Sequence, residues 1–95
     1  MASPSVSHYH GVVKGAAADV PFALCPFKPR TVKFFVVSGG TIEHGYKTDE
    51  MAGDSYMSTT TGTDAGVTLT DTGFTLANGA DVNVSGADVH FEILG

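Results

Sequence analysis

A single cysteine, Cys25, excludes an internal disulfide, so burial, hydrogen bonding and association must hold this chain together. The same scarcity fits synthesis in a reducing cytosol. Cys25 lies in Phe22-Ala23-Leu24-Cys25-Pro26-Phe27 with no base beside it to favour a thiolate, and reads as a buried, inert thiol. Basic residues are also few. Five against ten acids leave a formal charge of −5, the wrong sign for holding nucleic acid through counterion release. Charge of either sign is scarce at 16%, while 42% of residues are hydrophobic, which argues against disorder. Long apolar runs are missing too: the longest, Phe34 to Val37, is far too short to span a bilayer. Met1-Ala2-Ser3-Pro4-Ser5 offers neither a basic nor an apolar region, so no secretory signal is expected there. Helical periodicity is lacking, and Thr48 to Met57 has room for one turn at most. There is no internal repeat, no Cys-x-x-Cys pair, no Gly-x-Ser-x-Gly elbow and no phosphate-cradling loop. Ser38-Gly39-Gly40 opens onto a strand rather than a helix N-terminus.

What the chain has is glycine, threonine and alternation. Twelve glycines punctuate short runs in which apolar and polar residues alternate, the pattern of strands with one dry and one wet face. The clearest ladder runs from Gly66 to Leu94, broken at Thr72-Gly73, Asn78-Gly79 and Ser85-Gly86, where glycine can supply the positive φ of tight turns. Strands are expected over Val6–Lys14, briefly around Val20 within Ala16–Leu24, and over Thr31–Ser38, Thr41–Tyr46 and Val67–Leu69. The ladder adds Phe74–Leu76 with Val82–Val84, and Val89–Leu94. Between the second and third strands, Pro26-Phe27-Lys28-Pro29-Arg30 fixes an extended connector. Lys47 to Asp64 is the longest polar stretch and reads as a loop, although Met51, Tyr56 and Met57 let part of it pack down. Seven or eight short strands in ninety-five residues imply an all-β fold, a single small antiparallel β-sandwich of jelly-roll or Greek-key type. Residues 1–7 are expected to be a flexible N-terminal arm and 8–95 the sandwich.

The strand Thr31–Ser38 carries a second message. Val32, Phe34 and Val36 point one way, Phe35 and Val37 the other. A strand apolar on both faces is covered on both sides. In so small a sandwich the second cover must be a loop, an arm or a neighbouring subunit, and a dimer or trimer is therefore expected.

Chemistry is thin. Asp71-Thr72-Gly73 after the apolar Val67-Thr68-Leu69 imitates aspartic proteases of the retroviral type, and Ile93-Leu94-Gly95 imitates their downstream element. In that family the motif lies early, whereas only 22 residues follow Gly73 here. The plainer reading is a turn, with Asp71 accepting backbone hydrogen bonds and Gly73 taking an unusual φ. His8 and His10, two apart on a strand, share a face and can offer a metal two ligands where a stable site needs four; His44 and His90 could join only through the fold. Asp49, Glu50 and Asp54 lack the dense alternation of a calcium loop. No enzyme, metal or cofactor is expected.

The segment Phe27-Lys28-Pro29-Arg30-Thr31-Val32-Lys33, with the ending Gly73-Phe74-Thr75-Leu76, Ala80-Asp81-Val82-Asn83-Val84-Ser85-Gly86 and Val89-His90-Phe91, resembles small structural proteins of tailed-phage particles. One departure is Ala77-Asn78-Gly79, where a glycine would follow the short strand directly. The resemblance implies a virion component. A small chain without a coiled-coil stalk then fits a non-enzymatic capsid decoration, or cement, protein, made in the host cytoplasm and bound to the major capsid protein on the head surface. Many copies, each with a modest footprint on neighbouring subunits, would resist internal pressure by multivalency. The expected contact residues are Ser3, Pro4 and Ser5 of the arm, Phe22, Pro26, Phe27 and Arg30 of the connector, and Tyr56 of the polar stretch. The alternative is an adhesion module of a tail or head fibre binding a host-surface carbohydrate or receptor through Tyr46 and Tyr56, a reading weakened by the absence of tryptophan. Neither nucleic acid nor membrane is an expected partner.

Overall fold

Alternation sets the layers. In a computed structural model that describes residues 7–38, 41–59 and 62–95, nine strands form: β1 His8–Lys14, β2 Val20–Phe22, β3 Thr31–Ser38, β4 Thr41–Thr48, β5 Ser55–Ser58, β6 Gly62–Ala65, β7 Val67–Thr70, β8 Gly73–Leu76 and β9 Asp88–Leu94. They make a six-stranded sheet in the order β1-β9-β3-β4-β5-β6 and a three-stranded sheet in the order β2-β8-β7, with every pairing antiparallel. No helix occurs among the described residues. The fold is the small all-β sandwich that the alternation implies. Within the large sheet, β9 returns to lie beside β3 after the β3-β4-β5 run, which is Greek-key order.

Odd and even positions of the central strands divide cleanly. Val32, Phe34 and Val36 of β3 and Val89, Phe91 and Ile93 of β9 turn inward and are buried. They meet Phe74 and Leu76 of β8 and Val67 of β7 across the sandwich. Four rings lock the two layers. Phe34 meets Phe74 edge-on at 5.1 Å, Phe74 meets Phe91 at 5.1 Å, and Phe22 lies 4.6 Å from Phe91. Such pairs add about 0.5–1.5 kcal/mol each beyond the area they bury.

Three expectations need correction. The stretch Lys47–Asp64 is not one loop: β4 runs on to Thr48, and β5 and most of β6 lie inside it. Its polar residues are bonded inward. Lys47, 2% exposed, donates from Nζ to the carbonyl oxygens of Ser55 (2.6 Å) and Met51 (3.2 Å). Burial lowers its pKa, partly offset by Asp54. Next, Val82–Val84 is not a strand. Successive turns hold it, through Ala80 N–H to Ala77 O, Asn83 N–H to Ala80 O and Ala87 N–H to Val84 O. Val82 and Asn83 are both buried, and two consecutive inward side chains defeat strand alternation. Asn83 accepts from Ala16 N–H and donates to Ala18 O and Ala77 O, tying this segment to the β1–β2 connection. Third, Gly73 does not adopt positive φ, whereas Gly79 (90°) and Gly86 (79°) do. A Cβ at Gly73 would run into the carbonyl oxygen of Phe22 on β2, so glycine is required there by close approach.

Of the expected arm, residues 1–6 lie outside the described residues. Ser7 O accepts the N–H of Gly95 at 3.0 Å, which extends the β1–β9 pairing by one bond.

Candidate protein-docking surface

The outward positions of the large sheet form a grid of cross-strand rows. One row joins Val12 of β1, His90 of β9, Phe35 of β3 and His44 of β4. The next joins His10, Glu92, Lys33, Tyr46, Met57 and Thr63 across all six strands. A third runs His8, Leu94, Thr31, Thr48, while Val37 pairs with Ile42 and Lys14 with Asp88 toward the opposite end. Antiparallel register brings these side chains together, since directly opposed residues share a face.

Six large apolar side chains stand open on this plane. Val37 is 60% exposed, Ile42 58% and Val12 50%, joined by Phe35, Tyr46 and Met57. Scattered apolar residues are normal on a surface, but these six stand on one sheet face, and contiguous apolar patches of a few hundred Å² are often functional. Phe35 and His44 meet edge-on at 5.1 Å, and Thr63 Oγ1 lies 3.9 Å from Met57 Sδ. A shallow groove follows Lys33, Phe35, His44, Tyr46 and Met57, and a second follows His8, His10, Val12, His90 and Glu92.

All four histidines of the chain lie on this face. His8 Nε2 is 3.6 Å from Glu92 Oε1, and the His8 and His10 rings are 5.5 Å apart. Lys14 Nζ donates to Asp88 Oδ1 at 2.7 Å and holds that carboxyl below its ordinary range. Among the described residues no group of three or more His, Cys, Asp or Glu side chains is placed to hold a metal ion.

The expected contact residues scatter. Ser3, Pro4 and Ser5 lie outside the described residues. Pro26 and Arg30 are exposed, with Arg30 Nε 3.3 Å from Asp49 Oδ2. Leu24, two residues before Pro26, is 77% exposed and was not among the expected contacts. Phe27 is half-buried and packs beside Gly95. Phe22 is half-buried as well, its ring turned to Tyr9, Phe74 and Phe91 rather than outward. Tyr56 is a correction. It is 1% exposed, with its ring in the core, so it neither contacts a partner nor pairs with Tyr46 in a sugar site. Its hydroxyl donates to Asp64 Oδ2 (2.7 Å) and accepts from Val82 N–H (3.3 Å). Burial, reinforced by the Asp64 bond, pushes the phenol far up.

Asp71 stands exposed at the β7–β8 turn, and its carboxylate makes no hydrogen bond among the described residues, contrary to the turn-acceptor role expected of it. Cys25 is buried as expected, with its N–H bonded to Thr72 O at 2.9 Å. From β3 alone it was legible that Phe35 and Val37 form a second apolar face of that strand; among the described residues no loop covers it. That His44, Tyr46, Met57 and His90 join them follows from register, which no local pattern encodes.

No protein-family model, curated protein or solved structure matches this chain.

Proposed function

We propose that this chain is a non-enzymatic docking module of the capsid-decoration kind, a virion component that binds major capsid protein on the outer surface of a phage head and works in many copies. The observation that supports docking is the open apolar face of the six-stranded sheet. Burying such a face is the dominant driving force of stable association. A second projection fits the shell side of the job: Leu24 and Pro26 stand out from a connector whose flanks are fixed. Cys25 and Pro29 are buried, and Arg30 N–H bonds to Leu94 O. A preordered apolar tip loses little entropy on binding. The resemblance of Phe27–Lys33 and the Gly73–Phe91 ending to tailed-phage structural proteins supplies the capsid context.

The test is co-sedimentation of the purified chain with empty heads that lack it, together with its copy number in purified particles by quantitative mass spectrometry. Saturable binding, at on the order of hundreds of copies per particle, agrees with decoration of the lattice. A handful of copies would move the chain to a vertex or tail and bring the adhesion reading forward. Absence from particles would overturn the virion reading.

A further inference from the structure

The open sheet face has a charge balance unlike that of the chain as a whole. Histidines aside, its strand positions carry Lys14, Lys33, Asp88 and Glu92, two charges of each sign. The chain carries −5, so the acidic excess lies elsewhere: at Asp19, at Glu43 on the inward side of β4, in the 49–54 loop, at the inward Asp64, at Asp71 and at Asp81. The rest of the surface therefore carries the whole net charge of −5. Through this face a second copy meets a neutral, apolar surface.

We infer that the outer face of the six-stranded sheet is the interface with a second copy of this chain, and that protonation of its histidines releases that copy. This rests on reading the face as a docking surface and adds its occupant and its control. Size agrees. Six strands spaced at ~4.8 Å, seven or eight residues long at the centre, give a plane of at most about 24 by 25 Å, or about 600 Å², at the lower end of the ~600–1,000 Å² a standard interface takes from each partner. Charge placement agrees too. A two-fold axis along the strands between β9 and β3 sets Lys33 of each copy over Glu92 of the other, and His90 over Phe35. Such an isologous arrangement closes at two copies.

Imidazole is the ordinary side chain whose charge changes between pH 5 and 8. The groups facing the four rings from neighbouring strands are Glu92 beside His8 and His10, Asp88 with Lys14 near His90, and Lys33 near His44. Asp88 is already paired with Lys14, and Glu92 faces Lys33 in register. The carboxylates therefore do not neutralise four new cations. Protonation of these rings adds positive charge to the apolar face of both copies at once, where the two-fold sets His90 over Phe35 and His44 over Val12. The chain as a whole is acidic at −5, so added positive charge lowers its general self-repulsion. Acid release through this face therefore runs against the trend that overall charge predicts, and the two explanations separate.

The experiment is sedimentation equilibrium of the full chain over a concentration series at about pH 8 and about pH 5.5. The expected result is a dimer at the higher pH, weakened roughly a hundredfold at the lower. Val37→Glu, at a 60% exposed position where folding should persist by circular dichroism, is expected to be monomeric at both. Replacing His8, His10, His44 and His90 by Gln is expected to keep the dimer at both. His90→Gln alone should retain part of the effect if the fourfold variant folds poorly. A monomer at the higher pH, a trimer, undiminished association of folded Val37→Glu, or acid release that persists without the histidines would each overturn the inference. Shell binding by a chain that sediments as a monomer would refute this inference and leave the decoration reading standing. A dimer that ignores shells would do the reverse.

Discussion

Tyr56→Phe isolates one hydroxyl at the junction of β5, β6 and the turn at Val82. The ring keeps its packing, because Phe has the same shape and the tight space beside Gly45 is unchanged: a Cβ built on Gly45 would stand 3.1 Å from Tyr56 Cε2. Two bonds are lost. The donation to Asp64 Oδ2 is charge-assisted, and its loss costs about 1.5–3 kcal/mol. Val82 N–H, buried, loses its acceptor at a further cost of about 1 kcal/mol. Asp64 retains the N–H of Asp81 at 3.1 Å and returns partly to solvent, which recovers some of this. A net loss of about 2–3 kcal/mol is expected, against a total of about 5–14 kcal/mol for a chain of this length. Urea unfolding followed by circular dichroism should show a lower midpoint at unchanged slope. pH gives the second reading. Burial works to raise the Asp64 carboxyl, but the bonds from Tyr56, Asp81 N–H and Ala65 N–H outweigh it and hold the group below its ordinary range. Its contribution is therefore present above the unfolded value of about 3.9 and lost as pH falls through the folded one. The gap between parent and variant should be widest near neutrality and narrow toward pH 3. A loss under about 0.5 kcal/mol, or a gap constant with pH, would refute the bonded geometry.

Two further substitutions probe the close approaches. Gly73→Ala should separate β2 from β8, because the added Cβ meets the Phe22 carbonyl oxygen; a loss of about 2 kcal/mol or more is expected in thermal unfolding, with faster amide exchange at Val20 and Phe22. Asn83→Ala removes two bonds to the β1–β2 connection, at Ala16 and Ala18, and one within the turn, to Ala77 O, and should cost about 2–4 kcal/mol, measured in urea; an Asp in its place should recover only the bond from Ala16 N–H.

Fold class was readable because alternation is a local property. Val32-Lys33-Phe34-Phe35-Val36-Val37 announces a strand wherever it sits, and β3, β7, β8 and β9 stand close to where the residues place them. The errors share a cause. Lys47, Tyr56, Asp64 and Asn83 are polar residues whose partners are distant in sequence or are backbone groups. Lys47 and Asp64 were expected in a polar loop, Tyr56 at a contact and Asn83 on a strand; tertiary hydrogen bonds turn all four inward. Asp81-Val82-Asn83-Val84 alternates like a strand yet folds as turns because an amide side chain took over the bonding of the neighbouring backbone. The docking face was half legible. Apolar residues on both sides of β3 demanded a second cover, and His8 with His10 were placed on one face. The remainder needed the register of four strands.

The order of strands in space has a consequence for how the chain acquires its fold. β9 is last in sequence but lies between β1 and β3, and it pairs along almost the full length of both. During synthesis, the run from β3 to β6 can assemble from local hairpins while β1 has no neighbour to join. Until residues 88–94 leave the ribosome, the inner edge of β3 stays unpaired and the core lacks Val89, Phe91 and Ile93. Completion is then a single late event in which one strand closes the gap, and a nascent chain stalled short of it would present the open edge from which aggregation starts.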